Sequence, residues 1–156
     1  MGIDVKQFAE CIVRPALKNI GLFSESAAQL VTGTAVTESR LKYLKQIKGP
    51  AMSVFQIEPS THDDIWDNYI QYKPELKRRM WELAAPGLEL IETLTGNLHY
   101  GAAMCRVFYR RIPTALPNAG DVEGMAVYWK KYYNTHLGKG TVEKAIPHFR
   151  SLIDVW

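Results

Sequence analysis

Proline and glycine cut this chain into segments, and within almost every segment the apolar residues recur three or four positions apart. That is the helical period, and it argues against a core built from sheet. Val5, Phe8, Ala9, Ile12, Val13, Ala16, Leu17 and Ile20 predict a helix over 4–20, ended near Gly21 and kinked at Arg14-Pro15. Ser24 is placed to cap a second helix over 25–38, with Ala28, Leu30, Val31 and Ala35 on its buried face. Further helices are predicted at 60–70 after Pro59, from Pro74 to Ala84, from Pro86 to Leu94, at 97–111 after Gly96, from Asp121 to Tyr133, and from Thr141 to Leu152. One stretch breaks the rhythm. Leu41, Tyr43, Leu44, Gln46 and Ile47 run into the turn signal Lys48-Gly49-Pro50, so 40–57 is expected to be irregular or a short β-like excursion. The expectation is a mainly α single domain over 1–156, with seven or eight helices and at most a small β excursion near 40–57.

Composition narrows function only slightly. The chain has 156 residues, 47% hydrophobic and 22% charged, which suits one ordinary globular core. A formal charge of +3 is too weak to indicate nucleic acid. It suits an anionic polymer such as a cell wall, and equally an ordinary solvated surface. Cys11 and Cys105 both fall in apolar helical patterns and are expected to be small buried hydrophobes. Two cysteines make neither a disulfide framework nor a zinc site. Asp4, Lys6, Gln7, Glu10 and Arg14 interrupt any apolar run at the N-terminus, so no signal peptide is read there, and Gly2 lacks the context of a myristoylation signal. No run of about 18 apolar residues exists to predict membrane insertion.

The informative segment is 37–61, TESRLKYLKQIKGPAMSVFQIEPST. Glu38-Ser39 closes a predicted helix. Gln56 follows eighteen residues after Glu38, within Ser53-Val54-Phe55-Gln56-Ile57, and Pro59 and Thr61 then open the next helix. This resembles the signature of the soluble lytic transglycosylase and goose-type lysozyme group, which runs Glu-Ser, a variable excursion, Gly-Leu-Met-Gln-Ile, and a Pro-x-Thr helix start. Two further blocks keep the group's order: Asn97 opening GNLHYGAAMCRVFYRR, and Tyr133-Asn134 within AVYWKKYYNTHLGKG. The resemblance covers about residues 25–140. It departs from the pattern at Pro50-Ala51 for Gly-Ala, Ser53 for Gly, Phe55 for Met, Glu58 for an apolar residue, and Thr135-His136 for Ala-Gly. Those changes bear on cleft shape. The acid and its spacing to Gln56 are intact.

The resemblance implies a lysozyme-like fold and cleavage of the β-1,4 bond between the muramic and glucosamine sugars of peptidoglycan. A glycosidic oxygen leaves poorly unless it is protonated as the bond breaks, so one carboxylic acid must stay protonated near neutral pH in a partly apolar seat. Glu38, at the end of an apolar helix and beside Val54-Phe55, is the candidate. Most glycosidases add a second carboxylate. The resembled group works with one, the substrate's own 2-acetamido group supplying the stabilisation. Attack by the muramic C6 hydroxyl gives a 1,6-anhydro end, as in a transglycosylase; attack by water gives a reducing end, as in a lysozyme. By matched position, Ser39 and Gln56 would hydrogen-bond sugar or backbone. Phe55 would line the cleft floor, and Tyr133 would touch or orient Glu38 through its hydroxyl. Asn97 and Asn134 would bind substrate or cap local backbone. No metal and no cofactor is implied.

Other features read as structural. Asp63 and Asp64 in Thr61-His62-Asp63-Asp64 complement a helix N-terminus, and neighbouring residues there point apart rather than toward one ion. His99, His136 and His148 have no spaced partner and are expected at the surface. Lys73 to Arg79 reads as a solvated basic face. Glu58 is either a first-turn carboxylate or a second acid or base. The departures and the absent export signal resemble a bacteriophage-borne branch, located in a virion or in the host cytoplasm and delivered to the wall. Its partners would be glycan strands and other virion proteins, without nucleic acid or membrane insertion. The alternative is a non-catalytic virion, tail or wall-binding protein that keeps the fold, and a third reading is a plain helical adaptor.

Overall fold

A computed structural model describes residues 2–156. The chain is mainly helical, with no regular strand among the described residues. Its α-helices are α1 (Val5–Phe8), α2 (Arg14–Asn19), α3 (Glu25–Ser39), α4 (Pro59–Asn68), α5 (Pro74–Leu83), α6 (Leu90–Gly96), α7 (Leu98–Arg110), α8 (Val122–Trp129) and α9 (Val142–Arg150). A π-helical turn, Ala9–Val13, joins α1 to α2 into one continuous rod. A second, Lys130–Asn134, extends α8. The 40–57 excursion carries only two isolated antiparallel bridges, Lys45 with Met52 and Met52 with Ile57.

Helix α3 is the central post. Ser24 caps it by accepting a hydrogen bond from the amide of Ala27 at 3.0 Å. The sequence pattern gave it one buried face; in fact it is buried nearly all round, Gln29, Thr32 and Thr34 included. Its polar side chains are satisfied internally. Thr32 donates to the carbonyl of Ala28, and Thr34 donates to Leu30 while its hydroxyl also meets the Tyr109 hydroxyl at 2.8 Å. Gly33 lets α9 approach, since a Cβ there would fall 2.1 Å from the Phe149 ring. One continuous set of buried side chains, from Phe8 through Tyr100 and Trp129 to Leu152, surrounds this post.

Several expectations shift. The helix expected from Pro86 begins at Leu90, because Gly87 takes φ +81° and Glu89 and Glu92 form a capping box. The Asp121 helix reaches Asn134 only through the π turn. Cys105 is buried as expected, but Cys11 is exposed on the outer side of the first rod. Pro15 brings no N–H to the Cys11 carbonyl four residues back, and His99 Nε2 donates to it instead at 3.0 Å. His62 points inward and bonds the Tyr100 hydroxyl at 2.8 Å, which also accepts from Trp66 Nε1 at 2.9 Å. Asp63 and Asp64 are exposed, and Asp64 pairs with Arg111. The basic stretch 73–79 is an ion-paired surface, with Arg78 and Arg79 on Glu75. Among the described residues, no helix is long and apolar enough to cross a membrane.

Candidate active site

The last turn of α3 opens into a cleft of about 1290 Å³. That exceeds the range of roughly 300–1,000 Å³ usual for small-molecule pockets and suits an extended ligand. Glu38 stands in its wall, partly buried. Around it run the 40–58 excursion, Phe108, the end of α8 with its π turn, the 135–141 loop and one face of α9.

Glu38 is placed by how α3 ends. Arg40 caps the helix in the left-handed conformation, φ 52°, and Leu41 follows at φ 55°. The chain therefore turns sharply away just past the carboxyl, leaving it at a mouth rather than under another turn of helix. Among the described residues Glu38 has one hydrogen-bond partner, Trp129, whose indole N–H donates to Oε1 at 2.9 Å. Burial pushes the carboxyl up to about 7, and the indole N–H offsets part of that rise. Glu38 thus holds its proton into the neutral range, as a general acid requires.

The excursion docks on α7 through a close contact. A Cβ at Gly101 would fall 2.6 Å from Ser53 Oγ. Ser53 is fully buried at φ 69°, and its hydroxyl has no partner among the described residues. This is the position where the resembled pattern carries Gly, which takes a positive φ without steric cost. Gln56, at φ 51°, lines the cleft, and its amide donates to the Ser53 carbonyl at 2.8 Å. It therefore ties the turn on which it sits.

The remaining candidates divide. Asn134 lines the cleft, and its Oδ1 accepts from Lys130 Nζ at 2.7 Å. The Lys130 ammonium also donates to the carbonyls of Thr135 and Gly138, using all three protons to hold the loop that forms one lip. Tyr133 lines the cleft, but its hydroxyl donates to the Phe55 carbonyl at 2.7 Å rather than to Glu38. The π turn sets its ring on Tyr109, with centroids 5.3 Å apart, and aims the hydroxyl across at the excursion. Phe55 does not line the floor. Its ring is fully buried against Phe8, and only its carbonyl looks toward the site. Ser39 is buried too, bonding the Ala35 carbonyl and the Leu41 amide, because it faces the core side of α3. Asn97 lies outside this cleft. It caps α7 through the Tyr100 amide and donates to the Leu83 carbonyl.

Four groups in the cleft escaped the sequence reading. Trp129 was legible in principle, since it precedes Tyr133 by four residues on one helix and shares its face. Arg40 caps α3 two residues after Glu38, and Lys144 and His148 are brought to it by the packing of α9 on α3, which no local pattern announces. His148 is thus not a plain surface residue: it lines the cleft half-buried, with Nδ1 buried and without a hydrogen-bond partner among the described residues. Glu58 precedes α4 as its cap residue, makes no capping bond with its side chain, and also borders the cleft. Among the described residues, no three His, Cys, Asp or Glu side chains converge on a common point. No protein-family model, no curated protein and no solved structure matches the chain.

Proposed function

We propose that the protein is a lysozyme-like glycosidase that cleaves peptidoglycan strands between the muramic and glucosamine sugars, with Glu38 as its acid and base. The observation that carries the reading is the Glu38 carboxyl, kept protonated to about 7 by burial, in the wall of a cleft large enough for several sugars. Its spacing to Gln56 in the sequence, and the meeting of both residues at one cleft, support the same assignment.

In this mechanism Glu38 protonates the glycosidic oxygen as the bond to the muramic C1 breaks. The substrate's 2-acetamido oxygen stabilises the positive charge at that carbon. Glu38, now a carboxylate, then takes the proton from the attacking hydroxyl, either water or the muramic C6 hydroxyl. Trp129 supports the carboxylate stage, because an N–H donor favours the charged form. Tyr133 and Gln56 hold the excursion against the far wall rather than take part in proton transfer.

The test is direct. Purified protein incubated with cell-wall sacculi at pH 5 to 8 should release soluble muropeptides, and Glu38→Gln should release none. Mass spectrometry of the products separates anhydro ends from reducing ends. A wild-type protein that releases nothing across that range removes the catalytic reading and leaves the wall-binding one.

A further inference from the structure

The cleft holds a cluster of cationic side chains that the proton chemistry of Glu38 does not use. Arg40, Lys144 and His148 all line it. Arg14, Arg78, Arg79 and Arg111 each pair with a carboxylate, whereas Arg40 and Lys144 have no such partner among the described residues. Lys144 and His148 lie four apart on α9 and so share one face, with the buried Ala145 beside them anchoring the helix. Arg40 is close enough to His148 for its charge to help push the imidazole's proton affinity down, after burial. These groups therefore form one corner, assembled where α9 packs on α3 through Gly33 and Phe149.

Helix electrostatics accounts for Arg40 at the end of α3 and for His148 in the last turn of α9, but not for Lys144. A cation at the end of α3 is favourable for the helix, which accounts for Arg40. Lys144 lies in the first turn of α9, where a cation opposes the helix dipole. Its place there costs the helix a little and adds to a positive corner at Arg40, the residue that caps α3. A cluster of cations on a concave wall, Arg40 and Lys144 exposed and His148 half-buried, is matched by an anionic group on the ligand, held by charge-assisted hydrogen bonds.

We propose that Arg40, Lys144 and His148 form a carboxylate subsite, which takes an acidic group carried by the muramic residue of the substrate. This rests on the glycosidase reading for the identity of the ligand. Two sources share the chemistry: the lactyl carboxyl of a bare muramic sugar, and the carboxyls of the peptide attached to it. The subsite would make the enzyme select muramic-containing strands over uncharged polymers of N-acetylglucosamine.

The experiment measures binding rather than turnover. N-acetylmuramic acid, N-acetylmuramyl-alanyl-glutamate and the fully amidated form of that glycopeptide are titrated into wild type and into an Arg40→Gln/Lys144→Gln double variant, followed by NMR at the His148 ring. The charge-keeping Arg40→Lys/Lys144→Arg pair serves as control. Wild type should bind the bare muramic acid or the acidic glycopeptide about tenfold more tightly than the amidated glycopeptide. The double variant should lose that preference and the control should keep much of it. Tight binding by the bare sugar assigns the lactyl carboxyl, which the peptide bond removes from both glycopeptides, and tight binding by the acidic glycopeptide assigns the peptide. Equal affinity for all three ligands, or a preference that survives in the double variant, overturns the subsite. Muropeptide release is assayed in parallel. Preference without release retains the subsite and removes the glycosidase reading; release without preference does the reverse.

Discussion

Trp129 and Glu38 meet across the cleft wall through a single hydrogen bond of 2.9 Å, indole N–H to carboxyl Oε1. Burial raises the proton affinity of Glu38 and the indole lowers it, and the balance settles at about 7. Acid function is present below that value and fades as pH rises through it. Wall cleavage is therefore expected to fall on an alkaline limb centred near pH 7, read from muropeptide release across pH 5 to 9.

The same shift makes Glu38 a burden on stability. Its folded value of about 7 lies above the 4.5 of an ordinary glutamate carboxyl. Its contribution is fully present below the lower value and is lost as pH rises through the upper one. A shift of this size corresponds to about 3 kcal/mol, reduced to about 2 by the water that reaches a partly exposed group. Glu38→Gln removes the charge and keeps an acceptor for Trp129. Between pH 4 and pH 8 the stability difference should move in the variant's favour by about 2 kcal/mol. Denaturant melts at the two pH values measure it; a difference independent of pH would contradict the buried-acid assignment.

Among the described residues, Trp129 supplies the one N–H that favours the charged carboxyl, and Trp129→Phe removes it. The alkaline limb should move to higher pH, and stability should fall by about 2 kcal/mol from the lost indole contacts. Comparing pH–rate profiles with melts separates the two effects, because packing loss alone leaves the limb where it was.

Ser53→Gly should stabilise the fold. Ser53 pays for a positive φ and for a buried hydroxyl without a partner. Gly removes both costs and loses some unfolded-state restriction, for a net gain of about 1 kcal/mol. Urea unfolding at constant pH tests this, and a loss of stability would show that the hydroxyl is satisfied in solution.

Gly33→Ala should do the opposite. Its new Cβ would stand 2.1 Å from the Phe149 ring, an aromatic with little room to yield in a packed core. Forced separation of α3 and α9 should cost about 3 kcal/mol. Because that seam also sets Arg40 beside His148, the His148 ring resonance should shift with it.

How much of this was legible beforehand depended on range. Helix starts were readable where one residue decides them: Ser24, Asn97, Asp121 and Thr141 each cap the helix that follows through a backbone amide. Pro86 misled, because a capping box at Glu89 outweighs a proline as a start. The π turns were invisible, since both lie inside runs with ordinary helical spacing. In the site, Glu38, Gln56, Tyr133 and Asn134 do reach one cleft. Ser39 and Phe55 are turned into the core instead, because their spacing along the chain fixes position and the local backbone fixes direction. The α9 face could not be read at all, for it enters the site only by packing against α3.

The lip over this cleft is ordered from within. Lys130 gathers the Asn134 side chain and the carbonyls of Thr135 and Gly138 about one ammonium, much as a metal-binding loop gathers oxygens about an ion. Here the ion is tethered to the loop's own helix, always at one per loop and never exchanged with the medium. A chelator cannot strip it, and competing divalent cations cannot displace it. This part of the cleft should hold its shape equally well wherever the ionic composition is unregulated.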